Sequence, residues 1–233
     1  PVYPQNFARY KRDLHSFFQS HPEYKIIHSH MSELGYFVFR EAERQGVPIR
    51  ICHAHNAPNG FDAKMIVRTY FKKRMMPYLT HLFMCGEASG KWLYGEKNKS
   101  RFLMLNNAID AVSYIYDLSK REEMRRHLGL ADELVIGHVG RFNPQKNHSF
   151  LIDIFAALLK KESNAVLLLV GGGEGMSKMQ EKAQELGIAE HVRFLGVRSD
   201  VADLMQAMDA FVFPSLYEGL PVTMVEAQAA GLP

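Results

Sequence analysis

Cysteine and long apolar runs are both scarce in this sequence. Of 233 residues only two are cysteine, Cys52 and Cys85; each lies in an apolar run, and their positions show no metal-ligand spacing. They are therefore expected to be buried thiols in a reducing compartment, which predicts a cytoplasmic location. The richest apolar run, residues 166–170, has only the length of a strand. Neither a signal peptide nor a transmembrane helix is expected.

An excess of charge of one sign is also missing. Lysine and arginine number 28 against 25 acidic residues, so the formal net charge is only +3. This mild basic excess fits a protein that handles phosphates, but it lacks the basic blocks typical of nucleic-acid binding, so no nucleic-acid partner is predicted. Hydrophobic residues make up 47% of the chain, which indicates a globular core. The first residue is Pro1, and the last residues come directly after an apolar helical pattern. We therefore expect the chain to be a fragment of a longer protein.

Short apolar runs alternate with amphipathic stretches along the whole chain. This alternation predicts an α/β fold of the doubly wound type, a mostly parallel sheet with helices on both faces. The runs that indicate buried strands are residues 25–28, 49–53, 81–85, 101–105, 134–139, 165–170, 192–195 and 210–213. Helical patterns between them include residues 32–45, which Gly46 is expected to end, and residues 149–161.

The pattern changes between residues 107 and 123. Turn-like residues precede a charged helical pattern at residues 119–127, and a new series of strands begins at Leu134. We therefore predict two Rossmann-like domains, residues 1–115 and residues 116–233. Each contains four candidate strands, which is few for a complete doubly wound domain, so both are expected to be incomplete.

A basic loop follows the predicted strand at residues 134–139. It contains Arg141 and Lys146 and leads into a predicted helix. Backbone N–H groups and the helix dipole favour anions at such a point. The guanidinium of Arg141 can bind one phosphate through two parallel hydrogen bonds, and the ammonium of Lys146 can bind an adjacent phosphate as a point charge. From spacing alone, solvated loop charges are an equal alternative.

Two further elements follow predicted strands. The glycine-rich turn at residues 171–174 permits close backbone approach to a ligand, although a plain tight turn explains it equally well. Glu218 and Glu226 lie after the last strand, in a loop and in the next helix. Such carboxylates accept hydrogen bonds from vicinal hydroxyls of a sugar and a ribose. The alternative is a helix start whose dipole favours acidic residues.

Residues 138–233 carry these elements in an order and spacing that resemble one family. They resemble the donor-binding domain of retaining GT-B glycosyltransferases of family four (glycosyl transferases group 1), in which two Rossmann-like domains face a cleft. The resemblance implies that Arg141 and Lys146 contact the donor diphosphate. It also implies that Glu226 contacts the ribose and Glu218 the transferred sugar. The other donor-side residues that it implies are Gly173, Arg198, Gly219, Leu220 and Pro221.

Two histidine pairs close predicted strands in the first half: His28 with His30, and His53 with His55. Strand ends are where this fold places ligands, and a histidine there can bond sugar hydroxyls. A pair two residues apart can also suggest a metal, but no carboxylate or cysteine completes such a site, so no metal is expected. The looser resemblance of this half to the family's acceptor domain implies that His55 contacts the transferring sugar, with His30 and Asn56 on the acceptor side.

Three shorter stretches also resemble the family. Residues 105–110 resemble its Asn-Gly-Ile-Asp turn, with Ala108 in place of the glycine. Residues 85–95 and 145–148 most resemble enzymes of exopolysaccharide and capsule biosynthesis.

Residues 64–74 form a candidate basic amphipathic helix. Its cations are Lys64, Arg68, Lys72, Lys73 and Arg74. They predict either peripheral contact with anionic lipid at the inner face of the plasma membrane, beside a polyprenyl-linked acceptor, or a solvated helix face.

The predicted activity is sugar transfer from a nucleotide-sugar, a UDP-sugar, to a glycan or polyprenyl-linked acceptor with retention, through an oxocarbenium-like transition state. Arg141, Lys146 and backbone amides would stabilise the departing diphosphate, so no metal or other cofactor is expected. The alternatives are a nucleotide-sugar-binding fragment without turnover and a GT-B epimerase of UDP-sugars. A dinucleotide-dependent oxidoreductase is disfavoured. No predicted strand leads into a G-x-G-x-x-G turn that is followed, about twenty positions later, by an acidic residue.

Overall fold

Helices alternate with parallel strands in the computed structural model, which describes residues 6–57 and 64–233. The chain divides into two compact units. The N-terminal unit is Pro1–Asn107 with Tyr217–Leu220, and the C-terminal unit is Ala108–Leu216 with Pro221–Pro233.

The described strands of the N-terminal unit form one parallel sheet in the order β1-β2-β3-β4. They are β1 (Ile26–Ser29), β2 (Ile49–Ala54), β3 (His81–Met84) and β4 (Phe102–Met104). The helices are α1 (Phe7–Ser20), α2 (Gly35–Arg44), α3 (Lys64–Met75) and α4 (Glu87–Tyr94), with 3₁₀ turns at Ser32–Leu34, Met76–Tyr78 and Glu96–Arg101. The core beneath them contains the fully buried Phe39, Met75, Leu82 and Leu93.

Local sequence explains how two of these helices are bounded. The pattern at residues 32–45 forms a 3₁₀ turn that continues into α2, and Gly46 follows its end with a φ of +76°. That positive φ suits a glycine that ends a helix, as predicted. Helix α1 begins where the side chain of Asn6 accepts a bond from the Arg9 N–H (2.9 Å), and it buries Phe18.

The C-terminal unit contains a second parallel sheet, in the order β7-β6-β5-β8. Its strands are β5 (Leu134–Val139), β6 (Ala165–Val170), β7 (Val192–Gly196) and β8 (Ala210–Phe211). The helices are α5 (Leu118–His127), α6 (His148–Leu159), α7 (Met176–Glu185), α8 (Val201–Gln206) and α9 (Val222–Ala229), with 3₁₀ turns at Ala111–Tyr114, Pro144–Lys146 and Ala189–His191.

Strand β6 shows why this sheet is covered on both faces. All six of its residues are buried. Leu167 and Leu169 pack into one hydrophobic cluster, whereas Val166 and Leu168 pack into another. Successive side chains of a strand point to opposite faces, so each face of the sheet carries its own core. Two parallel sheets with flanking helices confirm the predicted α/β fold.

The strand order of the C-terminal sheet reverses at β5. The chain moves from β5 outward to β6 and β7, and it then returns to form β8 on the other side of β5. Loops that leave such a topological switch point diverge and create a crevice at the carboxyl ends of the strands. The fold therefore directs the loops after β5 and β8 to a place where ligands bind.

The division between the units lies at Asn107 and Ala108, whereas the sequence predicted it near residue 115. The 3₁₀ turn Ala111–Tyr114 packs against α8 and α9, which explains why it belongs to the C-terminal unit. The segment Tyr217–Leu220, expected within the second domain, belongs to the N-terminal unit. Its Leu220 carbonyl accepts a bond from the Asn107 side chain (2.7 Å).

Both cysteines are buried free thiols, as predicted. Burial raises the pKa of the Cys52 thiol to about 12. Within residues 6–57 and 64–233, every helix is too short or too polar to cross a bilayer.

Candidate functional site

The loops after β5, β6 and β7 surround a pocket in the C-terminal unit. Its volume is about 1270 Å³, and its lining includes Arg141, Phe142, His148, Gly173, Lys178 and Arg198. Pockets for small ligands typically measure about 300–1,000 Å³, so this one has room for a ligand with several parts.

The loop from β5 to α6 forms one wall of the pocket. The side chain of Asn143 accepts a bond from the Lys146 N–H (3.1 Å), which holds the 3₁₀ turn Pro144–Lys146. Asn147 adopts a left-handed conformation (φ +55°), and its side-chain amide donates to the Pro214 carbonyl (3.2 Å). Helix α6 then begins without a side-chain cap, and in its first turn the Phe150 N–H donates to the Asn147 carbonyl (3.1 Å). The two N–H groups before Phe150 are those that can bind an anion at this helix start.

The glycine-rich turn after β6 packs directly against this loop. The Gly171 N–H donates to the Gly196 carbonyl (2.8 Å), and the Phe142 N–H donates to the Gly172 carbonyl (3.0 Å). A Cβ on Gly171, where φ is +140°, would lie 2.1 Å from the Gly140 oxygen. Glycine is therefore required here by both conformation and space.

Three of the predicted donor-side residues line the pocket together: Arg141, Gly173 and Arg198. Arg141 is exposed to solvent. Arg198 binds the carboxylate of Asp200 through two guanidinium nitrogens, and this pairing lowers the pKa of the Asp200 carboxyl. The pocket thus offers one exposed guanidinium and one that is already held in place.

Lys146, Pro221 and Glu226 lie outside the lining of this pocket as the described residues define it. The Lys146 ammonium lies over the ring of Phe213, 4.7 Å from its centre. Pro221 precedes α9. Glu226 accepts a bond from the Tyr114 hydroxyl (2.8 Å), and burial together with this carboxylate raises the pKa of Tyr114 to about 12.

Sequence reasoning did not single out His148, the first residue of α6. It lines the pocket, is only 3% exposed, and stacks on Phe142 with ring centres 4.1 Å apart. Among the described residues, neither ring nitrogen has a hydrogen-bond partner. Burial, followed by the nearby His138 and Lys146, lowers the pKa of His148 to about 3. Its place beside the basic loop is the signal that could have found it.

The N-terminal unit brings both histidine pairs together at the carboxyl ends of β1 and β2. These strands are parallel neighbours, and His28 lies opposite Ile51 in the register. His30 Nδ1 and His55 Nε2 share a hydrogen bond of 2.6 Å. The rings of His28 and His53 stack with centres 5.4 Å apart, and those of His53 and His55 are 4.2 Å apart.

Burial and mutual repulsion keep protons off much of this histidine cluster. Burial, then the charge of His55, lowers the pKa of His53 to about 4. Burial, then the charge of His30, lowers the pKa values of His28 and His55. These three imidazoles are therefore neutral at pH 7, with lone pairs that can accept hydrogen bonds.

Other predicted sugar-site residues lie beside His55 in the same unit. Gly219 approaches the His55 backbone so closely that a Cβ would lie 1.7 Å from the carbonyl oxygen. Glu218 and Leu220 flank Gly219 in the segment Tyr217–Leu220, and Glu218 is half-buried. Asn56, next to His55, is exposed. The structure thus gathers His55 and Glu218, both predicted to contact the transferred sugar, in one unit.

Comparison with known proteins identifies the C-terminal part of the chain. The family model described as Glycosyl transferases group 1 matches residues 119–233. Residues 119–233 belong to this family. The match confirms the resemblance to glycosyl transferases group 1 that the sequence motifs indicated.

Individual relatives extend the match to nearly all of the chain. EpsF of Bacillus subtilis (strain 168), named as a glycosyltransferase, is 35% identical over 98% of this chain and 61% of its own length. The UDP-Gal:alpha-D-GlcNAc-diphosphoundecaprenol alpha-1,3-galactosyltransferase of Escherichia coli is 28% identical over 91% of this chain and 57% of its own length. The chain therefore spans less than two thirds of these relatives.

A solved structure supports the fold of the chain. Anabaena Alr3699/HepE in complex with UDP and glucose matches with a TM-score of 0.84 and 22% identity, over all of this chain and 64% of that chain. At this identity the match establishes the fold. The predicted GT-B architecture of Rossmann-like units is confirmed.

Proposed function

We propose that the chain is part of a glycosyltransferase that takes a sugar from a UDP-sugar, and that the C-terminal pocket binds this donor. The observation that carries the proposal is the pocket itself, in which an exposed Arg141 and a glycine-rich turn meet at the carboxyl ends of the parallel strands β5 and β6. That is where open α/β sheets bind nucleotides. The UDP bound in HepE and the UDP-Gal named for the E. coli relative support the choice of nucleotide.

The donor diphosphate is proposed to bind Arg141, Lys146 and the start of α6. Arg141 supplies a guanidinium in the pocket, and the uncapped first turn of α6 supplies N–H groups. Lys146 would have to move its ammonium from Phe213 toward the diphosphate. No metal is needed to stabilise the leaving group under this scheme.

The rest of the donor is proposed to contact the remaining predicted residues. Arg198 frames the base from the pocket wall, and Gly173 lets the backbone approach. Glu226 binds the ribose, since a carboxylate with one bond from Tyr114 keeps further acceptor capacity. Pro221 lies in the backbone before α9, near the diphosphate in this scheme.

Transfer itself is proposed to use the N-terminal unit. Glu218 orients the sugar with Gly219 and Leu220 beside it, while the neutral imidazole of His55 contacts the sugar, with His30 and Asn56 on the acceptor side. The reaction proceeds with retention through an oxocarbenium-like transition state. The diphosphoundecaprenol acceptor named for the E. coli relative supports a lipid-linked acceptor in polysaccharide biosynthesis.

Helix α3 is proposed to contact anionic lipid, through fewer cations than the sequence predicted. Lys73 and Arg74 are exposed, as are the apolar Ile66 and Val67 at 69% and 56%. Arg68, by contrast, pairs with Glu33 at 3.5 Å.

The predicted cation Lys72 is engaged within the unit. The Lys72 ammonium lies over the Trp92 ring (4.1 Å), and burial lowers its pKa. The side chain of Lys64 lies outside the described residues.

Calorimetric titration of UDP and GDP tests the donor site. Arg141→Ala should weaken UDP binding by about ten- to a hundredfold, because a charged hydrogen bond contributes about 1.5–3 kcal/mol. Arg126→Ala, which changes an exposed arginine on α5, is the matched control and should bind like the unchanged chain. Equal affinity for UDP in both variants would refute the assignment. Release of free sugar from UDP-sugars would then separate an enzyme from a piece that only binds.

A further inference from the structure

We propose that His28, His30 and His53 form a binding site for a divalent transition-metal ion of the zinc class. One ring nitrogen of each histidine lies within 4.8 Å of the corresponding nitrogens of the other two. His28 and His30 come from the end of β1, and His53 comes from the neighbouring β2. The site therefore joins two strands, which the spacing within either histidine pair could not show.

The geometry needs only a small adjustment to hold an ion. Zinc binds imidazole nitrogens at about 2.0–2.1 Å, so nitrogens on a tetrahedral ion lie about 3.3 Å apart. The present separations, at most 4.8 Å, must close by about 1.5 Å at the widest, which side-chain rotation can provide. His28 and His30 are exposed, so they leave an entry path from solvent.

His53 is already oriented as a ligand. Its Nε2 lies 3.0 Å from the Leu105 carbonyl oxygen, which can only accept, so Nε2 carries the hydrogen. Its Nδ1 then bears the lone pair, and this atom is buried with no hydrogen-bond partner among the described residues. Metal-bound histidines characteristically donate their other ring N–H to a carbonyl or carboxylate in this way.

His55 completes the surroundings of the site. Its Nε2 shares a 2.6 Å hydrogen bond with His30 Nδ1, so it can orient the His30 ring. Three histidine ligands leave a fourth position on the ion for water or another small ligand. Imidazole suits zinc, copper and nickel, whereas magnesium and calcium prefer oxygen ligands. The site lies in the N-terminal unit and does not depend on the nucleotide pocket.

The test is calorimetry of Zn²⁺ and Mg²⁺ binding to the chain, prepared without a histidine tag and freed of metal. We expect one Zn²⁺ per chain and no binding of Mg²⁺. His28→Ala and His30→Ala each remove an exposed ligand, so the fold should survive, as circular dichroism will verify. Each should weaken Zn²⁺ binding by more than about tenfold, since loss of even an outer partner of a ligand costs about 10- to 100-fold.

His81→Ala is the matched control, because His81 is an exposed histidine on β3 of the same unit. It should leave the affinity for Zn²⁺ unchanged. Absorption spectra of the Co²⁺ form provide a second readout, in which intense visible bands report a low coordination number. Equal Zn²⁺ affinity in His28→Ala, or an equal loss in His81→Ala, would overturn the proposal.

Discussion

Replacing Gly171 by alanine tests whether the contact between the two pocket loops sets nucleotide affinity. Gly171 has a φ of +140°, and a residue other than glycine held in such a region costs on the order of 1–3 kcal/mol. The added Cβ would also lie 2.1 Å from the Gly140 oxygen, whereas ordinary contacts begin near 3.4 Å. The loop that carries Arg141 must therefore retreat by roughly 1 Å.

Gly187→Ala is the matched control for the backbone strain. Gly187 also has a positive φ (+67°), but nothing lies within 4 Å of the position of its Cβ. Both variants should lose stability in urea unfolding. Only Gly171→Ala should also lose UDP affinity, by at least about tenfold, because a displacement of about 1 Å can cost about 100-fold in function. Wild-type UDP affinity in Gly171→Ala, measured by calorimetry, would refute the reasoning.

Three further predictions concern the C-terminal unit. His148 has a folded pKa of about 3 against 6.5 when unfolded, so as the pH falls the unfolded chain takes up the proton first and stability declines between pH 6.5 and 3. His148→Phe should flatten that decline in urea unfolding at a series of pH values; an unchanged slope would contradict the assignment. Arg125→Ala should lower the free energy of unfolding by about 3–5 kcal/mol, because its buried guanidinium pairs with the Asp209 carboxylate (3.3 Å) and also donates to backbone carbonyls. Arg126→Ala, at an exposed position, should change it by less than about 0.5 kcal/mol. Tyr114→Phe should cost about 1 kcal/mol by thermal unfolding, since it removes the hydroxyl bonded to Glu226, and no change would mean that water replaces this bond.

The strands were predictable because parallel strands with both faces covered appear in a sequence as short apolar runs. Leu134–Val139 and Ala165–Val170 match their predicted ranges residue for residue. Helix α1, Phe7–Ser20, was not among the predicted helices. It buries only Phe18 fully, so its pattern carries little information about the core.

For the candidate site, the sequence shows which residue types follow the strand ends. It does not show which side chains of the site bond to one another. The family resemblance predicts Arg198 and Glu226 as donor-side residues, but their bonds to Asp200 and Tyr114 depend on side-chain positions in the folded chain. The compact units differ from the predicted domains for a related reason. Tyr217–Leu220 joins the N-terminal unit through contacts with residues more than a hundred positions earlier, which local patterns cannot reveal.

The two units offer different kinds of site at the carboxyl ends of their strands. In the C-terminal unit the loops after β5, β6 and β7 enclose a pocket of about 1270 Å³, which suits a large ligand. In the N-terminal sheet the four described strands follow chain order, so the ends of β1 and β2 stay adjacent. Side chains at adjacent ends converge, and the nitrogens of His28, His30 and His53 lie within 4.8 Å of one another. A cluster of that size suits an ion rather than a nucleotide, so loss of Zn²⁺ binding and loss of UDP binding should follow from different substitutions.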